Sequence, residues 1–417
     1  MLRWSRVRLY LSIIDCEGLI ATLRERIQFA PATKKTGNSP LQSEALRDYC
    51  GSLHIHSTYS DGVEPIPKIA AAANEAGLDF ILICDHSSLD AISDDQAGWY
   101  DKTLVLIGTE VTTDTGHVLA LDVPPDYLPS PHEAVAAQRH IADKGGQGFI
   151  ALPCDLKDSW KDIEKHVDGV GLEVFNLSAI ARTKINLPGL LAVWSRYHSR
   201  NPLSAFHLVS ARPDPELKLW DRMIGGDGAE RAKKVVGIAS VDAHGVMKFM
   251  GKSYFMPTYK EVFQTLRTHV LPARPLSGTP ERAVDDAKRL YDAFREGHCY
   301  MSYDNYADAT GFRFEASSKG AGSSKTIAMM GDDASVKQHS RGIELTAEAP
   351  RRNCFMRILR NGKVAATGRD GSVTYQTTEP GAYRVEAYLY QFRIGALHFG
   401  VLPWIFSNPI YLVDSTN

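Results

Sequence analysis

The segment Gly51-Ser52-Leu53-His54-Ile55-His56-Ser57-Thr58-Tyr59-Ser60-Asp61-Gly62 sets two histidines two positions apart and places a carboxylate shortly after them. On a β-strand, alternate side chains share a face, so His54 and His56 point the same way, with Leu53 and Ile55 packed behind them. Two imidazoles on one face of a strand end make a ready pair of metal ligands. Ser60-Asp61-Gly62 reads as a turn that returns the Asp61 carboxylate to the same strand end. A lone histidine is ordinarily a satisfied core residue; a His-x-His followed by Ser-Asp-Gly is not that case.

The same grammar recurs along the chain: a short apolar strand, then metal-competent residues at its end. Leu78 to Cys84 leads into Asp85-His86, and Leu104 to Gly108 into Thr109-Glu110. Gly116 to Leu121 carries His117, and Val235 to Ser240 leads into Val241-Asp242-Ala243-His244. Gly148 to Pro153 and Val170 to Asn176 are two further strands. The candidate ligands are therefore His54, His56, Asp61, His86, Glu110, His117, Asp242 and His244. Imidazole nitrogens with carboxylate oxygens suit zinc, manganese or iron. Eight donors are too many for one ion, and a glutamate such as Glu110 can bridge two. Metals about 3.5–4 Å apart can share a hydroxide and clamp both oxygens of a displacement at phosphorus. Glu110, His117 and His244 are the candidates for direct catalytic roles, the two histidines through proton transfer near a leaving group. Asp85 reads as orienting a ligand. Glu173 and Asn176 read equally as supports of the site and as structural residues. Lys157, Arg182 and Lys184 are candidate phosphate contacts set against a plain surface role, and the remaining histidines read as structural or surface.

Helices are expected at Pro67 to Ala76 (closed by Gly77), His132 to Lys144, Tyr259 to Thr268, and Glu281 to Glu296 (closed by Gly297). Strands alternating with helices imply a largely parallel sheet, and sites built at strand C-termini are what α/β barrels provide. After about residue 300 the pattern turns all-β. Asn361-Gly362 sits between two strand-like runs as a strong hairpin signal, and Ser317 to Ser324 reads as a loop, as does Asp332-Asp333. The expected organisation is a helical lead-in and loop over 1–47, an α/β barrel over 48–305, and a small antiparallel sandwich over 306–417.

The chain has 417 residues and a formal net charge of -2, which offers no electrostatic footprint for duplex nucleic acid or an anionic membrane but leaves room for a small anionic substrate. Its six cysteines are scattered with no Cys-x-x-Cys pair, so reduced thiols in a cytoplasmic protein are expected. No run is long and apolar enough to span a bilayer. Met1 to Ile14 carries three arginines but no small-residue cleavage site, so a signal peptide is not expected, while a short amphipathic anchor stays open.

Taken in order, His54-x-His56, Asp61, Asp85-His86, Glu110, His117 and Asp242-x-His244 resemble the motifs of the PHP (polymerase and histidinol phosphatase) family, over roughly residues 50 to 305. The resemblance implies a distorted (β/α)7 barrel, two or three divalent ions (Zn, Mn or Fe), and hydrolysis of a small phosphorylated substrate. It implies that His54, His56, Glu110 and Asp242 hold one ion, Glu110 and His117 a second, and Asp61, His86 and His244 a third. One departure stands out: the family usually has a histidine where this chain has Leu152, which cannot coordinate, with Cys154 or Asp155 as substitutes. The run Trp404 to Tyr411 resembles the tail of a carbaryl-hydrolase-like branch. A metal-dependent phosphoesterase is the leading reading. A metal-dependent amide, carbamate or ester hydrolase and a non-enzymatic metal-binding module are its alternatives.

Overall fold

The structure is a computed structural model. It describes residues 46–127, 133–155, 160, 163, 169–184, 187–225, 233–249, 251–319, 324–339, 342–394 and 397–414. The expected lead-in up to residue 45, His132 and Lys157 lie outside these residues.

Nine strands build the sheet that carries the ligands. They are β1 (Tyr49–Ile55), β2 (Phe80–His86), β3 (Thr103–Thr112), β4 (His117–Leu121), β5 (Gln147–Ala151), β6 (Gly171–Asn176), β7 (Gly237–Ser240), β8 (Leu266–Val270) and β9 (Cys299–Tyr303). Their order across the sheet is β9-β8-β1-β2-β3-β4-β5-β6-β7. The far end comes back to β1: Val241 N donates to Leu53 O at 3.1 Å, Ala243 N to His54 O at 3.2 Å and His56 N to Ala243 O at 2.9 Å. These bonds bring the Asp242-Ala243-His244 segment against His54-Ile55-His56.

The sheet is mixed and not largely parallel as expected. The β1–β2, β2–β3, β5–β6 and β6–β7 pairs are parallel, while β3–β4, β4–β5, β1–β8 and β8–β9 are antiparallel. The link from Thr112 to His117 is too short for a crossover, so β3 and β4 must run antiparallel.

Helices pack against this sheet where chain length permits. The helix Ile66–Ala76 (α1) buries Ile66, Ile69, Ala70, Ala73 and Ala76, one helical stripe, and ends on Gly77 in the left-handed conformation (φ 74°). Ala134–Asp143 (α2) joins β4 to β5, and three helices, Leu177–Lys184 (α3), Leu187–Tyr197 (α4) and Asp214–Gly225 (α5), lie between β6 and β7. The expected helix over 259–268 is corrected. A capping box on Thr258 and Glu261 starts a helix at Tyr259, but it stops at Phe263 (α6) and the chain turns extended as β8. Its residues Leu266-Arg267-Thr268-His269-Val270 place one half-buried arginine among buried neighbours, and both edges of the strand are paired, to β1 and to β9. Ala283–Glu296 (α7) runs as expected to Gly297.

Beyond β9 the chain is all-β. Leu397–Ser407 pairs with β9, so these strands continue the same sheet. A second sheet, ordered Ser324–Met329, Arg313–Lys319, Ile343–Glu348 and Ser372–Thr377, faces it across a shared core of Phe314, Leu345, Met356, Ile358, Val385 and Trp404. The Asn361-Gly362 hairpin forms as read, with both residues at positive φ (48° and 75°). The loop expected over 317–324 is shorter, since strands occupy Ser317–Lys319 and Ser324, and Asp333 opens a short strand. Among the described residues, no helix is long and apolar enough to cross a membrane, and all five cysteines are free thiols.

Candidate metal centre

All eight predicted ligands meet at one end of the sheet. His54 breaks the regular alternation of β1 by taking a left-handed backbone (φ 60°), and the β1–β2 register shifts between Ser52 and Ile55. Leu53 and Ile55 consequently fall into different core clusters instead of sharing a face behind the histidines. The two rings still converge, with centroids 5.1 Å apart.

The first donor group is buried at His54, His56 and Glu110 and partly open at Asp242. Glu110 Oε2 lies 3.3 Å from His54 Nε2 and 3.4 Å from His56 Nε2. Asp242 Oδ1 lies 3.8 and 3.6 Å from the same two nitrogens. Donors placed 2.0–2.1 Å from one ion in a tetrahedron stand about 3.4 Å apart, so the spacing of Glu110 to His54 and His56 suits three ligands of one ion, with Asp242 beside the two imidazoles. The second group is more open. Asp61 Oδ1 lies 3.1 Å from His244 Nε2 and 3.7 Å from His86 Nε2, and the His86 and His244 rings each stack on His56, at 4.6 and 4.2 Å. His117 Nδ1 stands apart from both, 3.6 Å from Glu110 Oε1.

The fit to metal is tested by what these side chains lack. His54 Nε2 and His56 Nε2 are buried with no hydrogen-bond partner. A buried imidazole nitrogen left unpaired costs about 1–3 kcal/mol unless something else satisfies it. A cation between His54, His56 and Glu110 satisfies both nitrogens at once.

Charge is arranged to keep the carboxylate donors ionised. Burial pushes Glu110 up, but the His54 and His56 imidazoles outweigh it and hold its carboxyl down at about 2. The hydrogen bond from His244 brings Asp61 down to about 2. Asp242 is held far below the carboxylate range, burial being outweighed by His56, His54 and His244. Burial lowers His56; His54 is also buried, yet the Glu110 and Glu173 carboxylates raise it well above the usual imidazole value.

Around the ligands, buried polar groups fix geometry. Glu173, in the otherwise apolar β6, accepts from His54 Nδ1 at 2.7 Å, from Asn176 Nδ2 at 3.0 Å, from Leu152 N at 2.8 Å and from Ser240 Oγ. It thereby directs the other His54 nitrogen toward Glu110 and Asp242, while Asn176 both donates to Glu173 and accepts from Ala179 N at the start of α3. Asp85 orients the segment between two ligands and not a ligand ring: it accepts from Ser57 N (2.8 Å), Ser57 Oγ (2.6 Å) and Ser60 Oγ. The turn closes through Ser60 N and Gly62 N, both onto Ser57 O, and a Cβ at Gly62 would meet His56 O at 2.2 Å, so only glycine fits. Tyr259, which no sequence motif singled out, donates its hydroxyl to His56 O at 2.8 Å.

Of the candidate phosphate contacts, Arg182 on α3 is half-exposed beside the centre, bonded to Asp155 Oδ2 and 3.8 Å from Asp242 Oδ2. Lys184 is exposed at the end of α3. Neither Cys154 nor Asp155 joins a donor group among the described residues: burial pushes the Cys154 thiol up to about 12, and Asp155 holds Arg182.

No family model and no curated protein matches the sequence. Among solved structures, the chain is similar to a two-domain protein containing a predicted PHP-like metal-dependent phosphoesterase from Bacteroides vulgatus ATCC 8482. The identity is 13%, with 85% of this chain and 95% of that one covered and a TM-score of 0.34. It is also similar to a candidate metal-dependent phosphoesterase from Bifidobacterium adolescentis (15% identity, 48% and 88% covered, TM-score 0.28). A third is an amidohydrolase from Chromobacterium violaceum (14% identity, 50% and 92% covered, TM-score 0.29). Likeness at this level leaves the reading of the site to the residues themselves.

Proposed function

We propose that this chain is a metal-dependent phosphoesterase of the PHP type, with residues 48–305 as a distorted (β/α)7 barrel and 306–417 as an appended β-sandwich. The observation that carries the reading is the pair of unpartnered, fully buried nitrogens of His54 and His56, converging with Glu110 and flanked by Asp242, beside the more open Asp61, His86 and His244. The set suits two or three zinc, manganese or iron ions.

Divalent ions at such a site supply an acidified water and Lewis acidity toward phosphoryl oxygens. The chain's own residues do the rest. Glu173 fixes the tautomer of His54, and Asp85 fixes the Ser57–Ser60 turn between His56 and Asp61. Glu110 presents one oxygen to the buried group and the other toward His117. His117, partly exposed at the rim, is the group to hold and pass a proton at a leaving-group oxygen, while His244, on Asp61, serves as a ligand. Arg182 stands where an anionic substrate would approach Asp242.

Carbonyl substrates are the second reading, an amide, carbamate or ester, favoured by one observation: the Arg182 guanidinium is already engaged by Asp155 and so makes a weaker phosphate clamp. The test is turnover by the metal-loaded chain on a panel of phosphomonoesters and phosphodiesters beside aryl esters and carbamates. Phosphoester turnover lost on chelation and restored by metal supports the proposal. Turnover confined to the carbonyl set overturns it in favour of the second reading.

A further inference from the structure

We propose that the centre holds two divalent ions and not three, because the chain gives the third strand-end donor position to Leu152. The inference rests on the metal-centre reading above and concerns how many ions these residues hold.

Three non-glycine residues at the ends of β1, β5 and β7 share a left-handed backbone: His54 (φ 60°), Leu152 (φ 51°) and Asp242 (φ 52°). That conformation is tolerable for histidine and aspartate and unfavourable for leucine. In the two other cases it delivers a donor to the buried group. Leu152 is held in the same way. Its backbone N–H is bound by Glu173 Oε2, while the other Glu173 oxygen holds His54. Its neighbour Ala151 pairs directly with His117 across β4 and β5. Ser87, left-handed just after β2 (φ 47°), shows that this backbone alone does not make a ligand, but Leu152 adds the bond to Glu173 and the place beside His117 that a donor would use.

The consequence falls on His117. Its Nδ1 meets one carboxylate oxygen, Glu110 Oε1 at 3.6 Å, and among the described residues no third donor completes a group there. Catalytic metal sites usually have three protein ligands. Glu110 Oε2 is already committed to the buried group. Two donors, one of them on a carboxylate shared with another ion, leave this place too weak to retain a cation against dialysis. His117 stays outside the coordination, as a side chain of the active-site rim.

The experiment is elemental analysis of the full chain after chelation, reloading with excess zinc or manganese, and desalting, with anomalous diffraction to locate the ions. Two ions per chain are expected, at the buried group and at Asp61, His86 and His244. One ion, or a third beside His117, overturns the inference. His117→Ala is expected to keep both ions, and loss of one overturns it. Leu152→His is expected to raise the content to three, and a folded variant that stays at two overturns the assignment of position 152. Should that variant not fold, the His117→Ala arm decides alone. No ion after reloading overturns the metal-centre reading itself, which is a different failure from a wrong count.

Discussion

Glu173 Oε1 lies 2.7 Å from His54 Nδ1, with both side chains fully excluded from solvent. The contact settles which imidazole nitrogen carries a proton and which faces Glu110 and Asp242. Because Glu173 also accepts from Asn176, Leu152 and Ser240, every neighbour around it is a donor. In Glu173→Gln an amide N–H₂ must face one of those donors. The expected result is metal affinity weakened about 10–100-fold, read by competition with a chromophoric chelator. An affinity equal to wild type would remove Glu173 from the site.

Binding of ions to a preformed set of buried donors must also stabilise the fold. Ions that bind only the native state at a thousand times their dissociation constant add about 4 kcal/mol. Chelation is therefore expected to lower the melting temperature by several degrees, and excess zinc or manganese to restore it. In Glu110→Gln the restoring shift is expected to be largely lost, because Glu110 Oε2 touches His54, His56 and His86 alike, at 3.3, 3.4 and 3.1 Å. Calorimetry with and without chelator measures both. An unchanged melting temperature on chelation would refute the expectation.

The convergence of the candidate ligands is legible in the sequence because these residues mark the ends of apolar strands, and because Ser60-Asp61-Gly62 announces a turn that only glycine at 62 can close. The Asn361-Gly362 hairpin is legible for the same reason, a backbone that few residues adopt. Strand direction around His117 is missed when apolar runs are read as crossover units, although the short link from Thr112 to His117 already forbids a crossover. The Tyr259–Thr268 segment is misread because its capping box is real while its second half is recruited by two neighbouring strands, a tertiary effect that local propensity does not contain. Glu173 had a signal, a lone acid inside an apolar strand, but its partners come from four places in the chain and only the fold brings them together.

Away from the centre, His269 offers a pH test. It is buried on β8, stacked on Tyr300 at 4.6 Å, with Nδ1 3.0 Å from Asp48 and Nε2 3.3 Å from Asp304. Arg267 and Arg313 approach these two carboxylates, and Tyr300 donates to Asp48. Burial alone would lower His269, but Asp304 and Asp48 outweigh it and raise it to about 9. A raised histidine gives stability that is full below the unfolded value near 6.5 and is lost as pH rises through about 9. The loss is of order 3 kcal/mol. Denaturant unfolding at about pH 6 and pH 9.5 should show this fall in the wild type and a smaller one in His269→Gln. Equal slopes in the two proteins would exclude His269 as the source.

Glu386 tests how the all-β region is tied to the ligand-bearing sheet. It is fully buried on the strand Gly381–Ile394 and accepts from Arg384 Nη1 at 2.7 Å, Arg357 Nη2 at 2.6 Å, Arg212 Nη2 at 3.0 Å and the Tyr388 hydroxyl. Arg384 in turn grips both oxygens of Asp221 on α5 at 2.6 and 2.7 Å. One carboxylate thus gathers three guanidinium groups, and burial is outweighed so far that Glu386 lies well below the usual carboxylate range. Removing its charge takes a buried carboxylate from all three guanidiniums, leaving Arg384 with Asp221 and Arg212 with Asp214. A buried pair broken on one side costs about 3–5 kcal/mol. Glu386→Gln should therefore lower thermal stability far more than Glu379→Gln, whose partner Arg360 is a third exposed and also bonded to the Pro380 carbonyl. Because α5 packs beside β6, the all-β strands and the ligand-bearing sheet should lose structure in one transition, by near-ultraviolet dichroism and by release of bound metal alike. Two separated transitions, or a cost no larger than that of the surface variant, would show that the Glu386 cluster does not couple them.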